Sequence, residues 1–153
     1  MNIEKCKEQI KRHEGEVLEI YEDSLGYKTL GVGHLIQKKD LEYSLPIGTP
    51  VIQEVVDLYY NDDFNKHLNE TKELIGEEEF ENLPEPIQHV LVNMCFNLGR
   101  TRFSKFKNML NACKEHNWKE MANQMEDSKW FSQVGRRSVE LQQMVLEQDG
   151  TVY

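Results

Sequence analysis

The chain has 153 residues, 39% hydrophobic and 29% charged, which suits one sizeable soluble core or two small lobes sharing a helix. A formal net charge of −9 disfavours nucleic acid as a partner, since phosphate binding needs clustered Lys and Arg, and the one basic stretch, 100–107, reads as a solvated face. No apolar run reaches membrane-spanning length, and the N-terminus lacks the apolar segment of a secretory signal, so neither membrane insertion nor a signal peptide is expected.

Residues 2–13 predict a short amphipathic helix, with Ile3, Cys6 and Ile10 on one face and Gly15 as its stop. The period then changes. Val17, Ile20 and Tyr21 are strand formers, Asp23-Ser24-Leu25-Gly26 is a turn cluster, and 27–34 is glycine-rich but strand-like. This predicts a hairpin or a small three-stranded sheet. Gly31 and Gly33 suggest backbone pressed close to something. Thr49-Pro50 predicts a helix start, and a long, charged helix is expected from about 50 to 72 as a connector between lobes. After Pro86 comes the most apolar helix, ending at Gly99, and shorter helices are expected near 104–116, 118–126 and 135–147. Strands early and helices late make an α+β pattern.

The cysteines are Cys6, Cys95 and Cys113, without the even count or spacing of a disulfide framework. His13-Glu14 begins like a zinc-protease helix but lacks the second histidine four residues on, and no other metal-ligand spacing appears. Neither a metal nor a cofactor is expected.

The stretch 12–34 holds two separated acids, Glu14 and Asp23, with Thr29 between Asp23 and His34. Glu14 falls in the last turn of its helix, where the dipole disfavours a charged carboxylate, and a carboxyl that keeps its proton is what a general acid needs. The plainer account makes it a surface glutamate before a helix stop. Asp23 opens a turn, where aspartate commonly bonds its own backbone. Thr29 is an ordinary strand residue, and His34 an ordinary partnered histidine. Only their joint arrangement carries an argument.

That arrangement resembles the phage-type lysozymes, of the T-even bacteriophage kind. Glu14-Gly15, Tyr21, Asp23, Gly26, Thr29, Gly31, Gly33 and His34 fit the family pattern E-G-x5-Y-x-D-x2-G-x2-T-x-G-x-G-H without a gap. Asn93-Met94-Cys95-Phe96-Asn97-Leu98-Gly99 looks like the family's central helix. Ser128-Lys129-Trp130-Phe131 and Gly135-Arg136-Arg137 look like its later tryptophan and arginine segments.

The resemblance implies a lysozyme-like α+β fold: a β-sheet lobe at about 14–50, a connecting helix at 50–72, and a helical lobe at 73–153 with helix 2–13 packed on it. It implies one domain, a cleft between the lobes, and a monomer. It implies a muramidase that hydrolyses the β-1,4 bond between N-acetylmuramic acid and N-acetylglucosamine in bacterial peptidoglycan. Such an enzyme would be made in the cytoplasm, act on the cell wall and lyse bacteria.

Glu14 would be the general acid, Asp23 the carboxylate on the other face of the sugar, and Thr29 its helper in holding water, a pairing that suits inversion. Arg137 would sit beside the glutamate, and His34 would pair with Asp63 on the long helix. Leu35 and Phe96 match positions that contact substrate, and Asn97 follows as a polar contact. Two other contact positions differ: the family's serine and asparagine appear as Met109 and Gln124. Two alternatives stand beside this one, a catalytically silent wall-binding protein and a glycosidase acting on chitin-like glycans.

Overall fold

Gly15 ends the first helix by taking φ +79, a left-handed conformation open to glycine, while its N–H bonds the Lys11 carbonyl at 2.8 Å. In this computed structural model, which describes residues 1–150, that helix is α1, Ile3–Glu14. Three short strands follow: β1 (Val17–Glu22), β2 (Lys28–Gly31) and β3 (His34–Leu35). They form one antiparallel sheet in the order β1-β2-β3, as the strand formers and turn cluster of 17–36 predict. A 3-10 turn, Leu41–Ser44, leads on to the long helix α2, Gln53–Ile75.

The predicted helix start at Thr49-Pro50 is not where α2 begins. Pro50 bridges Glu19 of β1, and the Val51 N–H bonds the Leu18 carbonyl at 3.0 Å. The Thr49 hydroxyl donates to the Pro46 carbonyl at 2.6 Å instead of capping a helix. A proline lacks the N–H that a central strand needs but is tolerated beside an edge strand, so the sheet takes this segment. The helix correspondingly runs past 72, to Ile75.

The rest is helical: α3 (Glu77–Glu81), α4 (Glu85–Leu98), α5 (Arg100–Ser104), α6 (Lys107–Lys114), α7 (Trp118–Glu126), α8 (Lys129–Val134) and α9 (Arg136–Gln148). The helix expected over 104–116 is α6, which is shorter at both ends, and α5 precedes it. The short α8 was not anticipated; its cap is Ser128, whose hydroxyl accepts from the Phe131 N–H at 3.2 Å. The chain is therefore α+β, with a small N-terminal sheet and a helical remainder.

By internal packing it divides into two compact units. One contains residues 7–66, the other residues 1–6 together with 67–150 of the described chain. The boundaries fall inside α1 and α2. In the helical unit α4 is the core, with ten of its residues buried, among them Ile87, Val90, Leu91 and Met94. Burying each such side chain contributes about 1.5–3 kcal/mol. Helix α4 packs on α5 and α9, and α7 packs on α6, α8 and α9. Among the described residues no helix is long and apolar enough to cross a membrane.

Candidate active site

In the sheet unit, cross-strand register sorts the candidate residues by face. Tyr21 pairs with Thr29, and Thr29 pairs with Leu35, so these three form one row across the sheet. Paired residues of an antiparallel sheet project to the same side. Leu30 pairs with His34 on the other side, and both are buried.

Glu14 is the last residue of α1, and its carboxylate lies against Gly33 in the tight turn from β2 to β3. A Cβ on Gly33 would stand 2.8 Å from Glu14 Oε1, and Gly33 has φ +64. Gly31, at φ +60, meets Val56 of α2, where a Cβ would come within 2.9 Å. Both glycines are thus sites of close approach, as their place in a strand suggested.

Asp23 builds its own turn. Its Oδ1 accepts from the Leu25 N–H at 2.9 Å and the Tyr27 N–H at 2.8 Å. Its backbone N–H donates to the Tyr27 carbonyl at 2.8 Å. Among the described residues Oδ2 has no hydrogen-bond partner, so one carboxylate oxygen fixes the loop and the other remains available. The structural and the chemical accounts of this aspartate therefore do not compete.

Thr29 is buried, and its hydroxyl donates to the Tyr27 carbonyl at 3.0 Å. The hydroxyl oxygen keeps its lone pairs for an outside donor. Tyr21 lies in the same row as Thr29, and its phenol pKa is raised by burial and then by the negative charges of Glu14 and Asp23. The sequence pattern held Tyr21 without giving it a role.

His34 pairs with Asp63, as expected, through Nδ1 at 2.7 Å. It also bonds Asp40 through Nε2 at 2.9 Å and stacks on Tyr59 with ring centroids 4.1 Å apart. Burial alone pulls its pKa down, but the hydrogen bonds to Asp63 and Asp40 outweigh that and leave it raised. Asp40 and Tyr59 escaped the sequence analysis because neither belongs to a motif. Leu35 is exposed and lines an open hollow of about 290 Å³ with Tyr27, Gln37 and Tyr43.

The remaining candidates belong to the helical unit. Arg137, at the start of α9, is buried and donates from Nε to Asn93 Oδ1 at 2.8 Å. Asn97 Oδ1 accepts from Trp130 Nε1 at 2.7 Å, so its carbonyl end is committed to α8. Phe96 is half-buried, with His67 edge-on at 5.2 Å between centroids. Met109 and Gln124 share an open pocket of about 230 Å³ with Phe106 and Ser128.

This chain is similar over residues 11–144 to the family described as Phage lysozyme. The chain belongs to the phage lysozyme family. Two relatives from Dictyostelium discoideum, "Probable T4-type lysozyme 2" and "Probable T4-type lysozyme 1", are 30% and 29% identical to it. Each match covers 89% of this chain and 90% of the relative. The "Pre-baseplate central spike protein Gp5" of Enterobacteria phage T4 is 26% identical over 91% of this chain, but only 27% of that longer protein is matched. Membership of the phage lysozyme family supports a glycoside hydrolase of lysozyme type.

Proposed function

We propose that this protein is a muramidase that hydrolyses the β-1,4 bond between N-acetylmuramic acid and N-acetylglucosamine in bacterial peptidoglycan, with inversion. The observation that carries the proposal is the placing of two acids in the sheet unit, the Glu14 carboxylate against Gly33 and Asp23 fixed through Oδ1 with Oδ2 left for chemistry. They arrive from separate elements, Glu14 from the end of α1 and Asp23 from the turn after β1.

Glu14 donates its proton to the glycosidic oxygen as the bond to the leaving sugar breaks. Asp23 Oδ2 accepts a proton from the attacking water. Thr29, whose own hydrogen is committed to the Tyr27 carbonyl, accepts the water's other O–H. The water oxygen then bonds the anomeric carbon, and Glu14 ends as the carboxylate. Inversion of this kind requires carboxyls roughly 6.5–9.5 Å apart, leaving room for water. Arg137 acts as a supporting residue, and Leu35, Phe96 and Asn97 as glycan contacts. His34 with Asp63 serves the fold of the sheet unit. The reaction needs no cofactor, and the protein acts as a monomer on the cell wall, leading to bacterial lysis.

The test is digestion of purified peptidoglycan by the wild type and by Glu14→Gln, with the new reducing end identified by mass. Muramic acid at the new end, from wild type only, supports the proposal. An N-acetylglucosamine end overturns the bond assignment. Binding without cleavage by folded wild type favours the silent wall-binding alternative, and cleavage of chitooligosaccharides alone favours a chitin-type glycan.

A further inference from the structure

Within the helical unit, three metal-ligand side chains converge that no lysozyme chemistry uses. His67 and Glu70 lie three residues apart on α2 and therefore share a face. Cys95 comes from α4 and is buried. One imidazole nitrogen, one Glu70 carboxylate oxygen and Cys95 Sγ all lie within 4.8 Å of one another. His67 Nδ1 and Glu70 Oε1 are 2.8 Å apart, and Cys95 Sγ is 4.0 Å from the same oxygen.

A tetrahedral zinc ion, with bonds of about 2.0–2.3 Å, sets its donor atoms roughly 3.3–3.6 Å apart. The observed spacings bracket that range. Opening the His67–Glu70 pair and drawing Cys95 inward by up to about an ångström would seat the ion. The side chains of His67 and Glu70 are each 16% exposed, so the cluster sits just below the surface with a way in.

We propose that His67, Glu70 and Cys95 form a binding site for a borderline-soft divalent cation of the Zn²⁺ class, which ties α2 to α4. The donor set argues for the ion. Thiolate and imidazole select zinc-class metals over Mg²⁺ or Ca²⁺, which prefer all-oxygen shells. Three protein donors leave a fourth position for water. On binding, the Cys95 thiol releases its proton to solvent, His67 coordinates through the lone pair of a neutral ring nitrogen, and Glu70 coordinates as carboxylate. Two anionic ligands balance the ion's charge. Arg100 stands nearby, with its charge answered by the side-chain hydrogen bond to Glu73. Because His67 also abuts Phe96, occupancy would fix the orientation of that ring.

The experiment is titration of metal-stripped full-length protein with Co²⁺ at mildly alkaline pH, followed by absorption spectroscopy. Expected is a thiolate-to-cobalt charge-transfer band that saturates at one equivalent and is displaced by Zn²⁺. The band should vanish in Cys95→Ala. His67→Gln and Glu70→Gln should each weaken binding at least tenfold, and they keep the proposal testable if Cys95→Ala does not fold. Cys113→Ala should retain the band, since burial pushes the Cys113 thiol up to about 12 and it is not in the cluster. Absence of the band in wild type, or its survival in Cys95→Ala, overturns the proposal.

Discussion

Gly33 gives Glu14 its place: a side chain on the glycine would stand 2.8 Å from the carboxylate oxygen Oε1. At φ +64 the backbone is also in the left-handed region, where an L side chain costs about 1–2 kcal/mol. Gly33→Ala therefore acts twice, through strain and by pushing the carboxylate aside. The expected outcome is a folded protein with a modestly lowered Tm and a fall in kcat of about 10²-fold, the scale of a misplaced catalytic group. A variant with wild-type kcat would show that Glu14 does not act from this position.

Asp23 divides its two oxygens between the loop and the proposed water. Asp23→Asn can keep an acceptor for the Leu25 and Tyr27 N–H groups but cannot accept a proton. It should lower kcat by about 10²–10⁴-fold, the range of general base catalysis, with little change in Tm. Asp23→Ala should lose turnover and also about 1–2 kcal/mol of stability, because two hydrogen bonds go. Thermal melts run beside peptidoglycan turnover separate the two effects. Equal melts for both variants would mean that the loop does not depend on Oδ1.

His34 holds two carboxylates, and its loss leaves Asp40 and Asp63 without their shared cation. His34→Ala should cost about 3 kcal/mol, by the scale for breaking a buried charged pair, and leave measurable turnover. Complete loss of activity in a folded variant would contradict the structural role.

The same cluster sets a pH window. The His34 pKa is raised above 6.5, so its contribution is whole below 6.5 and fades as pH rises through the higher folded value. The Asp40 pKa is lowered, by its hydrogen bonds to the Gln37 N–H and His34 against the opposing effect of burial. Its contribution is whole above 3.8 and fades as pH falls through the lower folded value. The stability gap between wild type and His34→Ala should therefore be widest between 3.8 and 6.5 and narrow as pH rises through the raised His34 pKa. Denaturation across that range measures it, and a gap that widens with rising pH would reverse the assignment.

The net charge of −9 opposes approach to an anionic wall. Salt shortens the Debye length from about 30 Å at 0.01 M to about 10 Å at 0.1 M, so lysis of whole cells should rise over that interval. Turnover of a short neutral oligosaccharide should not. A monotonic fall in cell lysis from low salt upward would rule out this account.

The order of elements was legible in the sequence because local signals set it: Gly15 stops α1, strand formers around a turn cluster make the sheet, and the apolar run at 87–98 becomes the buried α4. The candidate acids were legible too, since their spacing is a property of one short stretch. Helix starts and loop partners were not. Pro50 looked like a helix start and instead bridges β1, because Glu19, 31 positions earlier in the chain, offers a partner that local propensity cannot see. Asp40 and Tyr59 at His34, Tyr21 opposite Thr29 in the sheet, and the meeting of His67, Glu70 and Cys95 all depend on which helix faces and strand rows come together. A chain displays its periodicities along its length, whereas distances between side chains far apart in that chain exist only once the packing has chosen them.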